Sequence, residues 1–132
     1  MIDAGKIRFT LSKDEILRSK KDIKELFDNG SSFFIYPYKV FYRANTSEKN
    51  QILISVSKRN FKKAVTRNKI KRHIREAYRL NKSLFANNTY NGVSFSIAII
   101  YISKSVLTHK EIEGKLIAVL KKLVAAGGNL KK

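Results

Sequence analysis

The sequence predicts an α+β domain in which helices pack against one sheet, in the order αβββαβα. Two windows carry apolar residues at helical spacing behind N-capping signals, and a third window is a basic amphipathic helix. Between them, β-branched and aromatic runs alternate with polar turns, as in strands. The chain has 132 residues, which is enough for one modest core. We therefore expect a single domain over residues 1–132, a two-layer α/β sandwich with one four-stranded sheet, with flexible ends at about 1–10 and 127–132.

The first predicted helix covers residues 20–29. Ser19 is a candidate N-cap, and Gly30 is a candidate for the left-handed residue that follows a helix. Between them, apolar residues recur at the i, i+3, i+4 spacing of one helix face. These residues are Ile23, Leu26 and Phe27. A capping box that begins at Ser12 predicts a short helical turn before this helix.

Three strands are predicted next. The aromatic and β-branched run at 33–44 reads FFIYPYKVFYRA, and Pro37 cannot donate a hydrogen bond to a sheet. We therefore divide this run into strands at 32–35 and 38–44. A polar turn follows, and the apolar run at 52–56 is the third strand.

The second half of the chain predicts a helix, a strand and a closing helix. The basic helix covers about 63–80, and the polar residues 81–92 form a loop with one helical turn. The strand at 93–103 is apolar at nearly every position, which is typical of a central strand. A capping box at Thr108 opens the last helix, which we expect to end at the glycine pair 127–128. Parallel pairing of the strands on either side of the basic helix would make a βαβ crossover, and general statistics favour a right-handed one.

The charge of the chain indicates a polyanionic partner. The formal net charge is +18 and the pI is about 10.3, so nucleic acid is favoured over an anionic membrane surface. The chain has no cysteine, which excludes disulfides and thiolate metal sites. The longest apolar run, 97–102, is too short to span a bilayer, and the first ten residues lack an apolar signal core. We expect a soluble cytoplasmic protein.

The sequence contains no pattern typical of a protein active site. Its two histidines, His73 and His109, lie on different predicted helices and are most simply surface or structural residues. The acidic residues are few and scattered, and the glycines form no phosphate-binding loop. We therefore expect neither a catalytic residue nor a metal site in this chain.

The stretch at 57–79 concentrates the positive charge. It holds ten Lys or Arg residues, which only Glu76 opposes. On a helix at about 100° per residue, its apolar residues share one face, and cations and an amide lie beside them. The apolar residues are Ile70, Ile74, Ala77 and Tyr78, and the adjacent face carries Asn68, Lys71, Arg72, Arg75 and Arg79.

Such a row of donors indicates a surface that binds a phosphate backbone rather than one that is merely solvated, because its cations flank the buried edge of the helix. The amide of Asn68 can also bond a phosphate, a ribose hydroxyl or a base edge, or ligate a hydrated metal ion. We predict that this element docks on folded RNA. The candidate RNA-binding residues are Lys58, Arg59, Lys63, Arg67, Asn68, Lys69, Lys71, Arg72, Arg75 and Arg79.

Aromatic residues are the second signal for RNA. Six of them crowd the first two predicted strands: Phe33, Phe34, Tyr36, Tyr38, Phe41 and Tyr42. Because side chains alternate along a strand, about half of these rings face each side of the sheet. One set must enter the core, and the other could stack on unpaired bases.

The basic stretch also resembles a family signature. The pattern Phe61-x-x-Ala64-x-x-Arg67-Asn68-Lys69-Ile70-Lys71-Arg72-x-Ile74-Arg75 resembles that of the bacterial ribonuclease P protein component. The RNR motif of that family reads Arg67-Asn68-Lys69 here, with Lys in place of the usual final Arg. The runs SKKDIKELFDNG at 19–30 and ISVSKR at 54–59 match as well, and so does the helix that Thr108 opens.

The resemblance implies a subunit of a ribonucleoprotein endonuclease that removes the 5′ leader from precursor tRNA. Catalysis then lies in the RNA subunit with bound Mg²⁺, and the protein itself binds no cofactor. The implied partners are the RNA subunit and precursor tRNA, with one protein per RNA and no contact with membrane or DNA. The resemblance also implies a left-handed βαβ crossover, as in the second domain of a ribosomal protein of the small subunit. We adopt this over the general rule.

A leader-binding cleft between the first helix and the sheet is also implied by the resemblance. By position, Phe27 and Phe41 correspond to residues that contact the leader, and so do Ile23 and Lys39. Ile23 stands where the family usually has an aromatic residue.

Three other functions fit part of the pattern. A ribosomal or other structural RNA-binding protein would have the same size and charge. A DNA-binding protein could place the basic helix in a major groove, which would require sequence-selective binding to duplexes. A self-sufficient nuclease would need a base or metal cluster that the sequence does not offer.

Overall fold

The computed structural model of the chain describes residues 13–45, 49–86 and 94–130. The order αβββαβα is confirmed, and a short 3₁₀ turn at Lys13–Glu15 precedes it. The elements are α1 (Lys20–Asn29), β1 (Ser31–Ile35), β2 (Tyr38–Asn45), β3 (Gln51–Val56), α2 (Ala64–Ala86), β4 (Ser94–Tyr101) and α3 (His109–Leu130).

The four strands form one mixed sheet in the order β1-β2-β4-β3. β2 pairs antiparallel with both β1 and β4, whereas β3 pairs in parallel with β4. The chain therefore leaves β3, passes through α2 and returns as the neighbouring parallel strand β4. This confirms the βαβ unit, and its left-handed path stays a prediction. Pro37 lies in the turn between β1 and β2, where it interrupts no ladder.

The main core lies between α2, α3 and one face of the sheet. Alternate residues of β4, such as Ile97 and Ile99, are fully buried against this layer. Ile70 and Ile74 of α2 and Leu116 of α3 cover them from above. The period of two in the strand and of 3.6 in the helices places these apolar residues on facing surfaces. The sheet and the two helices α2 and α3 form the predicted two-layer sandwich.

Helix α1 packs on the opposite face of the sheet. Leu26 is fully buried there with Leu17 and Ala98, and Leu53 packs against this second, smaller cluster. Ser19 caps the helix as predicted, because its side chain accepts a hydrogen bond from the backbone N–H of Asp22 at 3.2 Å. One short helix covers only part of this face, so the rest of it stays accessible beside α1.

The segment before α1 protects the outer edge of β3. Ile16 forms a parallel bridge with Ile52, and the N–H of Leu17 donates to the carbonyl of Ile52 at 2.9 Å. The Nζ of Lys82 on α2 contacts the carboxylate of Glu15 at 2.7 Å, and both side chains are only 15% exposed. The edge strand and α2 are thereby joined to the N-terminal segment.

The prediction of a left-handed Gly30 was wrong. Its φ is −78° and its ψ is 163°, which any residue can adopt. Glycine is needed for space instead, because an added Cβ would lie 2.4 Å from the carbonyl oxygen of Leu26 and 3.0 Å from that of Tyr42. This close approach lets the chain pass directly from α1 into β1.

Both long helices extend further than predicted. α2 continues to Ala86, so the region expected to hold one helical turn begins as part of this helix. α3 continues through Gly127 and Gly128 to Leu130, so the prediction that it ends at this pair was wrong. A glycine costs a helix about 1 kcal/mol, which lowers its stability without forcing it to stop.

The flexible ends stay a prediction, and residues 1–12, which include Ser12, lie outside the described residues. A membrane-crossing helix is not found in the described part of the chain, since none there is long and apolar enough.

Candidate nucleic-acid interface

Helix α2 buries one side and presents a polar row on the other. The predicted apolar face is confirmed, because Ile70, Ile74, Ala77 and Tyr78 are at most 1% exposed. The exposed polar side holds four residues within two helical turns, which we call the basic row. The basic row consists of Asn68, Lys69, Arg72 and Arg75. Spacings of three and four residues bring these donors together without help from any other element.

Arg67, the first residue of the predicted motif, is turned toward its own chain. Its Nη1 donates to the carbonyl oxygens of Phe61 at 2.8 Å and of Lys62 at 2.9 Å. The side chain of Phe61 is buried in the main core beneath this loop. Arg67 therefore fixes the loop between β3 and α2. Whether Arg67 also binds another partner depends on its other guanidinium nitrogens.

Two further candidates, in the part of α2 that follows Arg72, have protein contacts. Arg79 forms a bidentate ion pair with Glu76, which lies one turn earlier on the helix. This contact lowers the pKa of Glu76, because the guanidinium donates hydrogen bonds to the carboxylate. Arg75 lines a small cavity with Ile16 and Leu53, so the row reaches the edge of the sheet at β3. Lys71 is half-buried on the same side of the helix.

The remaining basic candidates precede the helix. Lys58 and Arg59 lie in the turn after β3 and Lys63 directly before α2, and all three are exposed. The Oγ of Ser57 accepts a hydrogen bond from the backbone N–H of Arg59 at 3.1 Å, which holds this turn in place. The structure thus brings most predicted RNA-binding residues to one end and one side of α2.

The predicted leader-binding residues converge on the other face of the sheet. The rings of Phe27 on α1 and Phe41 on β2 meet edge-on, with centroids 4.8 Å apart. The Nζ of Lys39 lies 5.5 Å from the centroid of the Phe41 ring. Ile23 is half-buried and, like Phe41, packs against the smaller core. We call the surface formed by Phe27, Phe41 and Lys39 the aromatic cleft.

One ring of this face was not assigned from the sequence. Phe34 of β1 pairs with Lys39 of β2, so both side chains leave the same face of the sheet. Phe34 is 58% exposed, more than the 38% of Phe27. Its neighbour Phe33 points the other way, toward the main core. Alternation between the two rings was visible in the sequence, but which of them is exposed depends on where α3 packs.

The far end of α1 has a different character. A cavity of about 320 Å³ is lined there by polar side chains that include Asp22, Glu25 and Asn45. Arg43 forms an ion pair with Glu25, which holds the pKa of that carboxyl below its ordinary value. Carboxylates repel phosphates, so a polyanion on this face is favoured at the Lys39 end of the aromatic cleft.

The structure brings the two histidines together. The rings of His73 on α2 and His109 on α3 lie 5.2 Å apart, beside the basic row. Within the described ranges, no group of three or more His, Cys, Asp or Glu residues could hold a metal ion.

Fold and surface define a basic α+β domain with a polar helix row and a separate aromatic cleft. Comparison with known proteins gives the family. The family described as Ribonuclease P matches residues 11–124, and the chain belongs to this family. Membership implies a role in tRNA processing within an endoribonuclease ribonucleoprotein, with an RNA subunit as partner.

Individual relatives agree. The chain is 35% identical over 126 residues to the ribonuclease P protein component of Porphyromonas gingivalis, covering 92% of this chain and 90% of that protein. It is 42% identical over 76 residues to that of Petrotoga mobilis, covering 58% of this chain and 64% of that protein.

Solved structures show the same fold. The RNase P protein of Staphylococcus aureus superposes with a TM-score of 0.69 at 28% identity, covering 83% of this chain and 94% of that one. That of Thermotoga maritima superposes with a TM-score of 0.67 at 28% identity, covering 82% and 96%.

Proposed function

We propose that this chain is the RNA-binding protein subunit of ribonuclease P and assists removal of the 5′ leader from precursor tRNA. The family match over residues 11–124 carries this proposal. Two separate surfaces support a division of labour between two RNA ligands. The basic row binds the RNA subunit, and the aromatic cleft binds the single-stranded leader.

The basic row suits a folded RNA because its groups contact phosphates without reading sequence. Lys69, Arg72 and Arg75 supply three cations, and Asn68 supplies a neutral amide among them. Each phosphate that such a cation neutralises releases counterions, so binding weakens steeply as salt rises. Arg67 contributes indirectly, by holding the loop that presents Lys58 and Arg59.

The aromatic cleft suits unpaired bases. An exposed ring can stack on any base, which is worth about 1–3 kcal/mol per base. Phe27 is supported edge-on by Phe41, and Lys39 lies where it can meet a backbone phosphate. A mature tRNA has no leader to place in the cleft, so the cleft favours substrate over product.

The chemical step lies with the RNA subunit and its Mg²⁺ in this proposal. The protein contributes charge instead, because catalytic RNA and precursor tRNA are both polyanions. A protein of net charge +18 between them offsets part of their repulsion. We also propose that the protein acts in the cytoplasm and that one protein binds each RNA subunit.

The deciding experiment is cleavage of precursor tRNA by the RNA subunit at low Mg²⁺, with and without the protein. Stimulation of 5′-leader removal is expected, and the protein alone should cleave nothing. A structural RNA-binding protein of another kind would bind RNA without stimulating cleavage. Cleavage by the protein alone would require a nuclease site that this proposal lacks.

A Mg²⁺ titration tests the electrostatic part separately. Arg72→Ala should lose stimulation at low Mg²⁺ and recover as Mg²⁺ rises, because added cations replace the lost charge. Asn68→Ala is expected to behave alike if the amide acts through phosphate or a hydrated ion. Arg67→Ala should recover less, since it also frees the loop before α2. Equal loss at every Mg²⁺ concentration for Arg72→Ala would argue against a role through charge.

A further inference from the structure

The two histidines of the chain meet where α2 and α3 pack together. Their ring centroids are 5.2 Å apart and their planes are inclined by 34°. His109 is the first residue of α3 and is exposed, whereas His73 is half-buried on α2. The sequence separates them by a strand and two connections, so only packing of α3 on α2 makes this contact.

Charged side chains of both signs surround this pair, and the cations act most directly on His73. Lys69 lies one helical turn before His73 and Arg72 directly before it, and both raise the positive potential at its ring. Glu76, one turn after His73, faces His109 but is held by Arg79. On α3, the exposed Lys110 follows His109. The two carboxylates of the same turn have partners, because Glu111 accepts hydrogen bonds from Thr108 and Glu113 accepts one from Asn81. A site with this charge pattern attracts an anion and repels a metal cation.

His73 has unused hydrogen-bonding capacity. Its Nδ1 is buried and meets no hydrogen-bond partner among the described residues. Burial, His109, Arg72 and Lys69, in that order, lower the pKa of His73 below its ordinary value. The ring is therefore mostly neutral at pH 7 in the free protein, although cations flank it.

We propose that His73 and His109 form a phosphate-binding site that extends the basic row onto α3, and that an RNA backbone phosphate bound there is accompanied by proton uptake. This inference rests on the proposed binding of the RNA subunit to the basic row. A phosphate beside the pair offsets part of the positive potential of Lys69 and Arg72, and it accepts a hydrogen bond from a protonated imidazole. The imidazole of His73 then holds its proton more strongly in the complex than in the free protein.

The sign of the pH effect follows from linkage. The complex binds more protons than the separate molecules, so affinity rises as pH falls through the range between the pKa of His73 in the complex and its lower pKa in the free protein. The stability of the free protein changes with pH in the opposite direction. Because the pKa of His73 is lower when folded than when unfolded, stability is complete above about pH 6.5 and decreases as pH falls below it.

An isothermal titration tests this directly. The protein is titrated into its RNA subunit at pH 6.5 in two buffers of different ionisation enthalpy, which gives the number of protons taken up. We expect roughly one proton per complex for the wild type and close to none for the double variant His73→Gln, His109→Gln. We also expect the affinity of the wild type to rise about tenfold from pH 7.5 to pH 6.0, against about twofold for the double variant.

The matched control is Lys110→Gln, which removes a neighbouring charge that does not titrate in this range. It should shift affinity equally at every pH and leave proton uptake intact. Inorganic phosphate is the second control, and it should raise the imidazole pKa values much less than RNA does. Because the chain has two histidines, their NMR titrations in the free protein are readily assigned.

The outcomes separate this inference from the proposed function. If the wild type binds the RNA subunit at pH 8 but takes up no more protons at pH 6.5 than the double variant, the histidine site is wrong and the basic row stands. If inorganic phosphate raises the imidazole pKa values as much as RNA does, the assignment to an RNA phosphate is wrong. Failure to bind the RNA subunit at any pH would instead overturn the proposed function.

Discussion

The basic row and the aromatic cleft are both candidate RNA contacts, but they are assembled by different means. All four residues of the basic row lie within eight consecutive positions of one helix, 68–75. The aromatic cleft combines α1 and β2, and α1 is held on the sheet chiefly by the burial of Leu26. A surface of the first kind depends on local geometry, and a surface of the second kind depends on packing between elements. Substitutions that disturb packing should therefore separate the two.

The largest effect is expected for Leu26→Ala, because this side chain is fully buried beneath α1. It should lower the free energy of unfolding by about 2–5 kcal/mol, as measured by urea denaturation. The folded fraction should lose its preference for precursor over mature tRNA yet keep its affinity for the RNA subunit. Leu80→Ala is the control, since Leu80 is 40% exposed and should cost far less. If folded Leu26→Ala lost both binding activities equally, the basic row would depend on packing between elements as much as the aromatic cleft does.

The next largest effect is expected for a substitution that changes the aromatic cleft without disturbing the packing of α1. Phe27→Ala removes a ring that is 38% exposed, so the fold should be little affected. Binding to precursor tRNA should weaken by about 1–3 kcal/mol, the value of one stacked base, while binding to mature tRNA stays unchanged. Fluorescence titrations of both RNAs measure this.

Phe34→Ala extends the same test to the ring that the sequence left unassigned. A comparable loss for the precursor would lengthen the cleft along β1. If Phe27→Ala weakens both RNAs equally, the leader does not lie in the cleft.

Charge on the row gives a smaller effect per residue. Arg72→Ala should weaken binding to the RNA subunit about tenfold at low salt and reduce the slope of log K against log salt by about one. Lys122→Ala removes the same charge at the opposite edge, where its Nζ lies 5.4 Å from the Phe33 ring centroid. This control should leave the slope nearly unchanged. Identical slopes for both variants would mean that only net charge matters.

The smallest effect is expected for Glu76→Gln. This change removes the single carboxylate of the basic stretch and releases Arg79 from its ion pair. Affinity for the RNA subunit should rise about twofold at low salt, and the gain should vanish at high salt. Filter binding at two ionic strengths measures it. Weaker binding instead would show that the pair with Glu76 positions Arg79 for RNA.

The sequence by itself determined the order of the elements and the polarity of α2. Helical periodicity is a property of local geometry, so the burial of Ile70 and Ile74 could be predicted without knowing their partners. The same holds for the exposed row beside them. Boundaries were less determined, because a helix end such as that of α3 depends on weak local preferences at its glycines.

Only the tertiary structure decided which groups meet across elements. Gly30 was predictable as a break, but the crowding by the carbonyl oxygens of Leu26 and Tyr42 arises from the entry of the chain into the sheet. Arg67 was expected on the RNA surface, and its folding back onto the loop depends on where the carbonyls of Phe61 and Lys62 point.

The need for packing between elements also explains why the aromatic cleft, unlike the basic row, could not be predicted from local geometry. The cleft required α1 to lie on the face opposite α2, and the pair of His73 and His109 required α3 to begin beside α2. Contacts between residues distant in sequence are selected by the packing of whole faces, which no local pattern encodes.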